Sequence, residues 1–278
     1  MKKLMVLSCL TLILLTSYAQ NYSQFKGANG KFGFKNSQGA IVIPALYEES
    51  YNYKFQFGMM RVFLNGNTGF IDSVGKLIIP FKKWHIDEFD QLGFSEVMIS
   101  EKFGVMNRKG VIVIPCKYSL IYLSEDRTGL IRAKLGDEVG GEGVLDTLGN
   151  IMVPFIYDGC MPRSKNLIIV DKNHKHGVYN TAKDEVYQNG KEQHSLIVVP
   201  VIYDFIKISI VDKKEFIYVS LISNNKTGKP GRGLFDGHGR VIVECTKMGI
   251  GEFNNGRAEV EELDGTKYYI DEDGNTIE

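Results

Sequence analysis

Cysteine is scarce, neither sign of charge is in excess, and no long apolar run follows the first 19 residues. Each shortage excludes something. Setting the N-terminal segment aside leaves three cysteines, Cys116, Cys160 and Cys245, and an odd count argues against a disulfide framework. Cys116 and Cys245 recur directly after one repeated position, where other copies carry apolar residues, so packing accounts for both, with one optional bridge left open. The chain has 33 basic and 33 acidic residues, or 31 against 33 without Lys2 and Lys3. No basic surplus exists to draw in nucleic acid. No apolar stretch reaches the roughly 18 residues of a membrane span. A nucleophile elbow, a phosphate loop and a dinucleotide fingerprint are all missing. The glycine-rich GRGLFDGHG at 231–239 leads into a strand, not into a helix that would bind phosphate.

What is present begins with MKKLMVLSCLTLILLTSYAQ. Two lysines, a short apolar stretch and small residues around Tyr18 read as a signal peptide over residues 1–19, cut before Gln20. The mature chain is therefore expected to be exported, to the periplasm, the cell surface or the medium. Cys9 raises lipid anchoring, but Leu7 fills a place usually held by a smaller residue and the apolar stretch continues past Cys9, so ordinary cleavage is favoured. Residues 20–29 read as a lead-in and 30–278 as one repeat domain.

The domain repeats a short phrase seven times. A first Gly recurs at Gly33, Gly69, Gly104, Gly143, Gly177 and Gly233, with Tyr268 in the seventh place. Three residues on comes an Asx, and in six copies a Gly follows three later. The pairs are Asn36 and Gly39, Asp72 and Gly75, Asn107 and Gly110, Asp146 and Gly149, Asp236 and Gly239, and Asp271 and Gly274. Asx first and Gly fourth is the signature of a type I turn, because the Asx side chain bonds the turn backbone and Gly accepts the left-handed conformation. Each pair is expected to close a β-hairpin.

The flanking segments are β-branched and aliphatic, as at 40–43, 76–79, 111–114 and 196–199. Pro follows at Pro44, Pro80, Pro115 and Pro154, where it is expected to end pairing by withholding its N–H. Tyr47, Tyr118, Tyr157 and Tyr203 come three residues after a Pro, placed to cover the seam between neighbouring units. A third strand is expected at 59–64, 94–100, 130–135, 167–171, 216–221 and 258–263. The fold class is all-β: about seven tandem three-stranded antiparallel meanders in an open curved or superhelical array, with a closed six- or seven-bladed β-propeller as the alternative.

The pieces KFGFKN, NTGFID, KFGVMN and KHGVYN, each followed by an aliphatic strand in the manner of IVIPALY, resemble the WG-repeat (KWG) family of bacterial proteins. The Trp that names the family is replaced by Phe32, Thr68, Phe103, Glu142, His176 and Arg232. The resemblance implies a β-repeat scaffold found in exported and surface-associated proteins, and it supplies no catalytic residues.

Chemical readings of single motifs give way to architecture. DEDGNTIE at 271–278 has its Gly fourth, not sixth as in an EF-hand, and reads as the seventh turn. His174 and His176 share a strand face in an alternating reading and His194 lies nearby, but a polar strand edge is preferred to a metal site. The recurrent Asp residues lie a whole unit apart, too far for paired glycosidase carboxylates. No catalytic residue, metal or cofactor is expected.

Three interruptions stand out: 136–143, 183–194 and 223–233. Loops on a rigid scaffold are where recognition resides, so Lys183, Tyr187, Lys191, Asn224, Lys226 and Lys229 are candidate partner contacts. The leading expectation is a non-enzymatic exported binding or scaffold protein facing a protein partner at the cell envelope. Envelope glycan binding through Tyr47, Tyr118 or Trp84 comes second, and a propeller-type hydrolase third.

Overall fold

The computed structural model describes residues 22–48, 53–123, 128–136, 141–182, 197–223 and 228–277. Every regular element among them is a strand, and no helix is long and apolar enough to cross a membrane. The strands form seven antiparallel sheets in chain order, none closed into a barrel. The chain divides into two compact units, one ending at Lys83 and the other beginning at Trp84.

The first unit holds two sheets. Sheet one is β1 (Ser23–Lys26), β2 (Phe32–Lys35) and β3 (Ile41–Tyr47), and sheet two is β4 (Met60–Leu64), β5 (Asn67–Ile71) and β6 (Leu77–Lys82). Residues 23–26, expected to be lead-in, thus add a strand to β2.

The second unit holds five four-stranded sheets. Sheet three comprises β7 (His85–Ile86), β8 (Phe94–Ile99), β9 (Lys102–Asn107) and β10 (Ile112–Tyr118). Sheet four comprises β11 (Leu120–Leu123), β12 (Ile131–Lys134), β13 (Glu142–Leu145) and β14 (Ile151–Tyr157). Sheet five comprises β15 (Gly159–Pro162), β16 (Leu167–Lys172), β17 (Lys175–Asn180) and β18 (Ile197–Tyr203). Sheet six comprises β19 (Phe205–Val211), β20 (Lys214–Leu221), β21 (Gly231–Asp236) and β22 (Val241–Lys247). Sheet seven comprises β23 (Gly249–Ile250), β24 (Arg257–Glu261), β25 (Lys267–Asp271) and β26 (Thr276–Ile277). The expected three-stranded meander is therefore extended by a leading strand in all five.

In sheets four to seven the leading strand follows from a chain that passes from one sheet to the next through a single residue. Ser119, Asp158, Asp204 and Met248 are these joints, and each donates its amide to the second strand of the sheet it enters. The acceptors are the carbonyls of Lys134, Asp171, Ser220 and Glu261, at 2.8–3.0 Å. In the first unit Glu48 donates to Phe63 of β4, the first strand of its sheet, and no leading strand precedes β4 among the described residues. At the four joints, once the bond forms, the next residues lie beside the second strand and pair with it.

Proline does not end the strands. β3, β10, β14 and β18 all run through their Pro to the following Tyr. Ile43 pairs with Phe34 and Tyr47 with Phe32, so residues 44–46 face Gly33 alone. This is a bulge, where the missing N–H of Pro costs no ladder bond. The same shift recurs at 115–117, 154–156, 200–202 and, without Pro, 244–246.

The bulge also explains the first Gly of every repeat. A Cβ on Gly33 would sit 2.5 Å from the Ile43 carbonyl oxygen, and one on Gly104 or Gly143 would sit 2.5 or 2.6 Å from the Ile114 or Val153 oxygen. The bulged strand presses on bare backbone. Tyr268 escapes the constraint, since β26 pairs only with Tyr269 and Ile270 and no bulge faces it among the described residues.

Cores lie between sheets. Tyr47 packs with Met60, Val62 and Ile71 of the next sheet in the first unit. In the second unit Tyr118 packs with Ile121, Ile131 and Leu145, Tyr157 with Ile168 and Val170, and Tyr203 with Ile217 and Val219. Sheet four buries Ile131 and Ala133 toward sheet three and Val144 and Val153 toward sheet five. An interior sheet is thus apolar on both faces, which a helix-free repeat needs in order to bury a core.

Candidate functional site

The repeated turns hold the frame. In each of the six pairs the Asx side chain accepts the amides two and four residues on, at 2.8–3.1 Å, as Asp146 Oδ1 does from Leu148 and Asn150. The Gly amides of Gly39, Gly75, Gly110, Gly149, Gly239 and Gly274 close each turn onto the Asx carbonyl. All six glycines have φ between 75° and 89°. These residues are structural, with their side-chain acceptors occupied by their own turn.

Burial pushes the Asp146 carboxyl up, but hydrogen bonds from the Asn150 side chain and from the amides of Asn150, Leu148 and Gly149 outweigh it and hold the group below the usual carboxylate range. A depressed folded value stabilises above the unfolded pKa, about 3.9, and the contribution is lost as pH falls through the folded value. Asp146→Asn keeps the Oδ1 acceptor for the two turn amides, as Asn36 and Asn107 do naturally, removes the titration and gives up the exposed bond from Asn150 Nδ2 to the second oxygen. Its unfolding free energy from urea titration at neutral pH should change by less than about 1 kcal/mol. Below about pH 4 it should fall less steeply than that of the parent.

Other sequence-derived candidates separate. His174 is not on a strand: it sits with Asn173 in a tight turn, at φ 60° and 50°. The expected shared face with His176 is absent because that turn reverses the chain between β16 and β17. His176 Nδ1 instead meets the Asp171 carboxylate, its cross-strand partner. Among the described residues no three His, Cys, Asp or Glu side chains gather as a metal set. Cys116, Cys160 and Cys245 are free thiols, and burial pushes Cys160 up to about 12, which keeps it protonated and unreactive. Tyr47 and Tyr118, considered for sugar stacking, are buried in the seams. Lys183, Tyr187, Lys191, Asn224, Lys226, the signal peptide and His194 lie outside the described residues, and Lys229 is exposed beside the start of β21.

The chemistry that sequence reading missed lies between sheets six and seven. Phe205, Ser220, Arg232 and Lys247 are cross-strand partners in one row, and Lys207, Tyr218, Leu234 and Val243 form the row beside it. Both rows face sheet seven, where Phe216, Leu234 and Val243 pack with Phe253, Ala258 and Val260. The near row is left uncovered for two reasons. Lys247 stands where sheets one, three, four and five place a seam Tyr, and its ammonium is taken by Glu262 at 2.6 Å. In addition, β23 has two residues against seven in β19, so it ends before it can cover Phe205 and Lys207.

The result is a cleft of about 500 Å³ lined by Phe205, Lys207, Tyr218, Arg232, Ile250 and Glu252 among others. That volume is in the usual range for ligand pockets. Phe205 is 62% exposed. Lys207 is neutralised by Glu252, whose carboxyl the lysine holds below the usual range. Arg232 is exposed and has no ion-pair partner among the described residues. The Tyr218 hydroxyl is buried beside the Phe253 amide, which can only donate to it, and no acceptor for its own proton is found among the described residues. Burial pushes that phenol up to about 12, so it stays protonated and has a proton to donate. The signal available in the sequence was the lapse itself, Lys247 where Tyr recurs and Arg232 in the family's Trp slot.

A family model described as WG containing repeat matches residues 32–67, 103–138 and 143–175. These three stretches match the WG repeat. In this structure the Trp slot of six repeats pairs across the bulge with the strand that follows: Phe32 faces Tyr47, Thr68 Lys82, Phe103 Tyr118, Glu142 Tyr157, His176 Tyr203 and Arg232 Lys247. One curated relative, the pyrophosphate–fructose 6-phosphate 1-phosphotransferase subunit beta of Solanum tuberosum, is 33% identical over 64 residues, 23% of this chain and 11% of that protein. The chain thus spans about a tenth of that relative's length. Among solved structures, dihydro-heme d1 dehydrogenase NirN in complex with DHE is 10% identical, with 92% of this chain and 62% of that chain covered and a TM-score of 0.34. Kluyveromyces lactis Hsv2p is 10% identical, with 77% and 81% covered and a TM-score of 0.35.

Proposed function

We propose that this WG-repeat chain is a non-enzymatic, exported scaffold that presents its β-repeat surface to a protein partner at the cell envelope. The observation that carries the reading is the cleft between sheets six and seven, a concave patch that joins an exposed aromatic to a cation with no ion-pair partner among the described residues. Exposed aromatic and Arg side chains in a concave site are the residue types that dominate protein recognition. The single carboxylate lining the cleft, Glu252, is occupied by Lys207, which leaves the site suited to holding a ligand and without an acid–base pair to transform one. Export rests on the N-terminal charge and apolar pattern of residues 1–19.

The test is cross-linking of the exported protein in intact cells, alongside sedimentation of the purified protein with protein-free cell wall. A protein cross-link that depends on the native chain, with no sedimentation, is the expected result. Sedimentation with bare wall and no protein cross-link would replace this reading with glycan binding.

A further inference from the structure

We propose that the cleft between sheets six and seven takes the carboxylate of an extended acidic peptide, whose backbone lies along β19 and whose neighbouring apolar side chain rests on Phe205. This inference rests on the reading of the chain as a protein-binding scaffold and names the site and ligand chemistry.

Charge decides the anion. Lys207 and Arg232 are the cations lining the cleft and Glu252 is its carboxylate. Lys207 and Glu252 cancel as an ion pair, and the nearby Lys247 is matched by Glu262. One positive charge remains, on Arg232. A singly charged carboxylate balances it, whereas a phosphate group brings up to two charges and is usually met by several Arg side chains.

Hydrogen bonding agrees. Guanidinium geometry matches a carboxylate with two parallel bonds. The Tyr218 hydroxyl, buried in the row next to Arg232 with the Phe253 amide beside it but no acceptor for its proton, gains one when a carboxylate enters. A buried donor left without an acceptor is costly, so a ligand that satisfies it is favoured.

Shape and edge choose a peptide. β19 is the edge of sheet six and pairs only with β20 among the described residues. At seven residues it is the longest of the leading strands. One row of its backbone groups points away from the sheet, the feature that strand addition uses, while pockets for alternate side chains set specificity. Phe205, at the end of β19 next to the cleft, offers a flat apolar surface to the residue beside the carboxylate.

The probe is a fluorescein-labelled hexapeptide with a central Phe–Asp pair and Thr and Val flanks, titrated by anisotropy against the purified protein. The Asp peptide should bind, and its Asn counterpart should bind about tenfold more weakly, the usual scale for a charged hydrogen bond. Arg232→Gln should lose the same factor with an unchanged melting temperature, since the side chain is exposed. Tyr218→Phe should weaken binding severalfold. Methylating alternate backbone amides of the peptide should abolish binding.

Equal binding of Asp and Asn peptides, or unaltered binding by Arg232→Gln, would overturn the carboxylate site. Insensitivity to backbone methylation, or displacement by phenylacetate as effective as by unlabelled peptide, would overturn the strand-addition mode. Displacement by an oligogalacturonate and not by peptide would assign the cleft to an acidic glycan. In the cell, a partner cross-linked equally by the Arg232→Gln protein would leave the scaffold reading standing and this inference refuted. No cross-link by either protein would refute the scaffold reading itself.

Discussion

Gly104→Ala lowers stability by about 3 kcal/mol, the upper part of the range for forcing extra atoms into a packed interior. The methyl carbon would lie 2.5 Å from the Ile114 carbonyl oxygen, 2.8 Å from Cys116 Sγ and 2.9 Å from the Cys116 amide nitrogen. Two of the three are backbone atoms of the bulge, so relief requires β10 to move away from β9. That movement would drag Tyr118 out of its contact with Ile121 and Ile131. Chemical unfolding measures the effect, with Gly251→Ala as the control. At Gly251 the nearest atoms to an added Cβ are 3.6 Å away, and its stability should change by less than about 1 kcal/mol. An unchanged midpoint in Gly104→Ala would mean that the repeated Gly does not serve the close approach of the bulge.

Gly239→Ala should cost about 3 kcal/mol, while Gly39→Ala, in the same type of turn, should cost about 1. Both glycines have φ in the left-handed region, 88° and 80°, so both substitutions strain the backbone. They differ in what lies beyond the turn. A Cβ on Gly239 would meet the Val198 carbonyl oxygen at 2.4 Å, because the hairpin of sheet six rests on β18 of sheet five, whereas Gly39 has nothing within 4 Å. Asn180 reinforces that stacking by donating to the Gly237 carbonyl at 2.8 Å. Thermal unfolding of the two variants separates conformational strain from steric contact. Equal losses would show that the turn does not bear on its neighbour.

Much of this frame was readable from residue types. Asx and Gly at fixed spacing specify the turns because the side-chain acceptor and the left-handed backbone are local properties. The aliphatic runs specify strands because β-branching favours a pleated surface. Tyr118, Tyr157 and Tyr203 were legible as seam residues from their recurrence.

The leading strands were not legible. β15 is Gly-Cys-Met-Pro, with no strand composition at all. It is set by the Asp158 joint and by the Glu142 carboxylate accepting the Cys160 amide at 3.0 Å. The role of Pro was misjudged for a related reason, since a missing N–H ends a ladder only where the partner strand offers an acceptor. Gly33 and its counterparts face a bulge instead. The cleft was hidden because its cause is an omission, a Tyr that sheet six lacks, and the consequence of an omission depends on what the neighbouring sheet fails to cover.

The single-residue joints restrict where such a protein can grow. Lengthening the joint at Ser119, Asp158, Asp204 or Met248 would break the backbone hydrogen bond that docks each new sheet and would misalign everything downstream. Additional sequence is tolerated only inside a sheet, between its own strands. Residues 183–196 between β17 and β18 and 224–227 between β20 and β21 obey this rule. Anyone grafting an epitope, a fluorophore tag or a binding loop onto this scaffold should therefore open a hairpin and leave the crossings between sheets untouched.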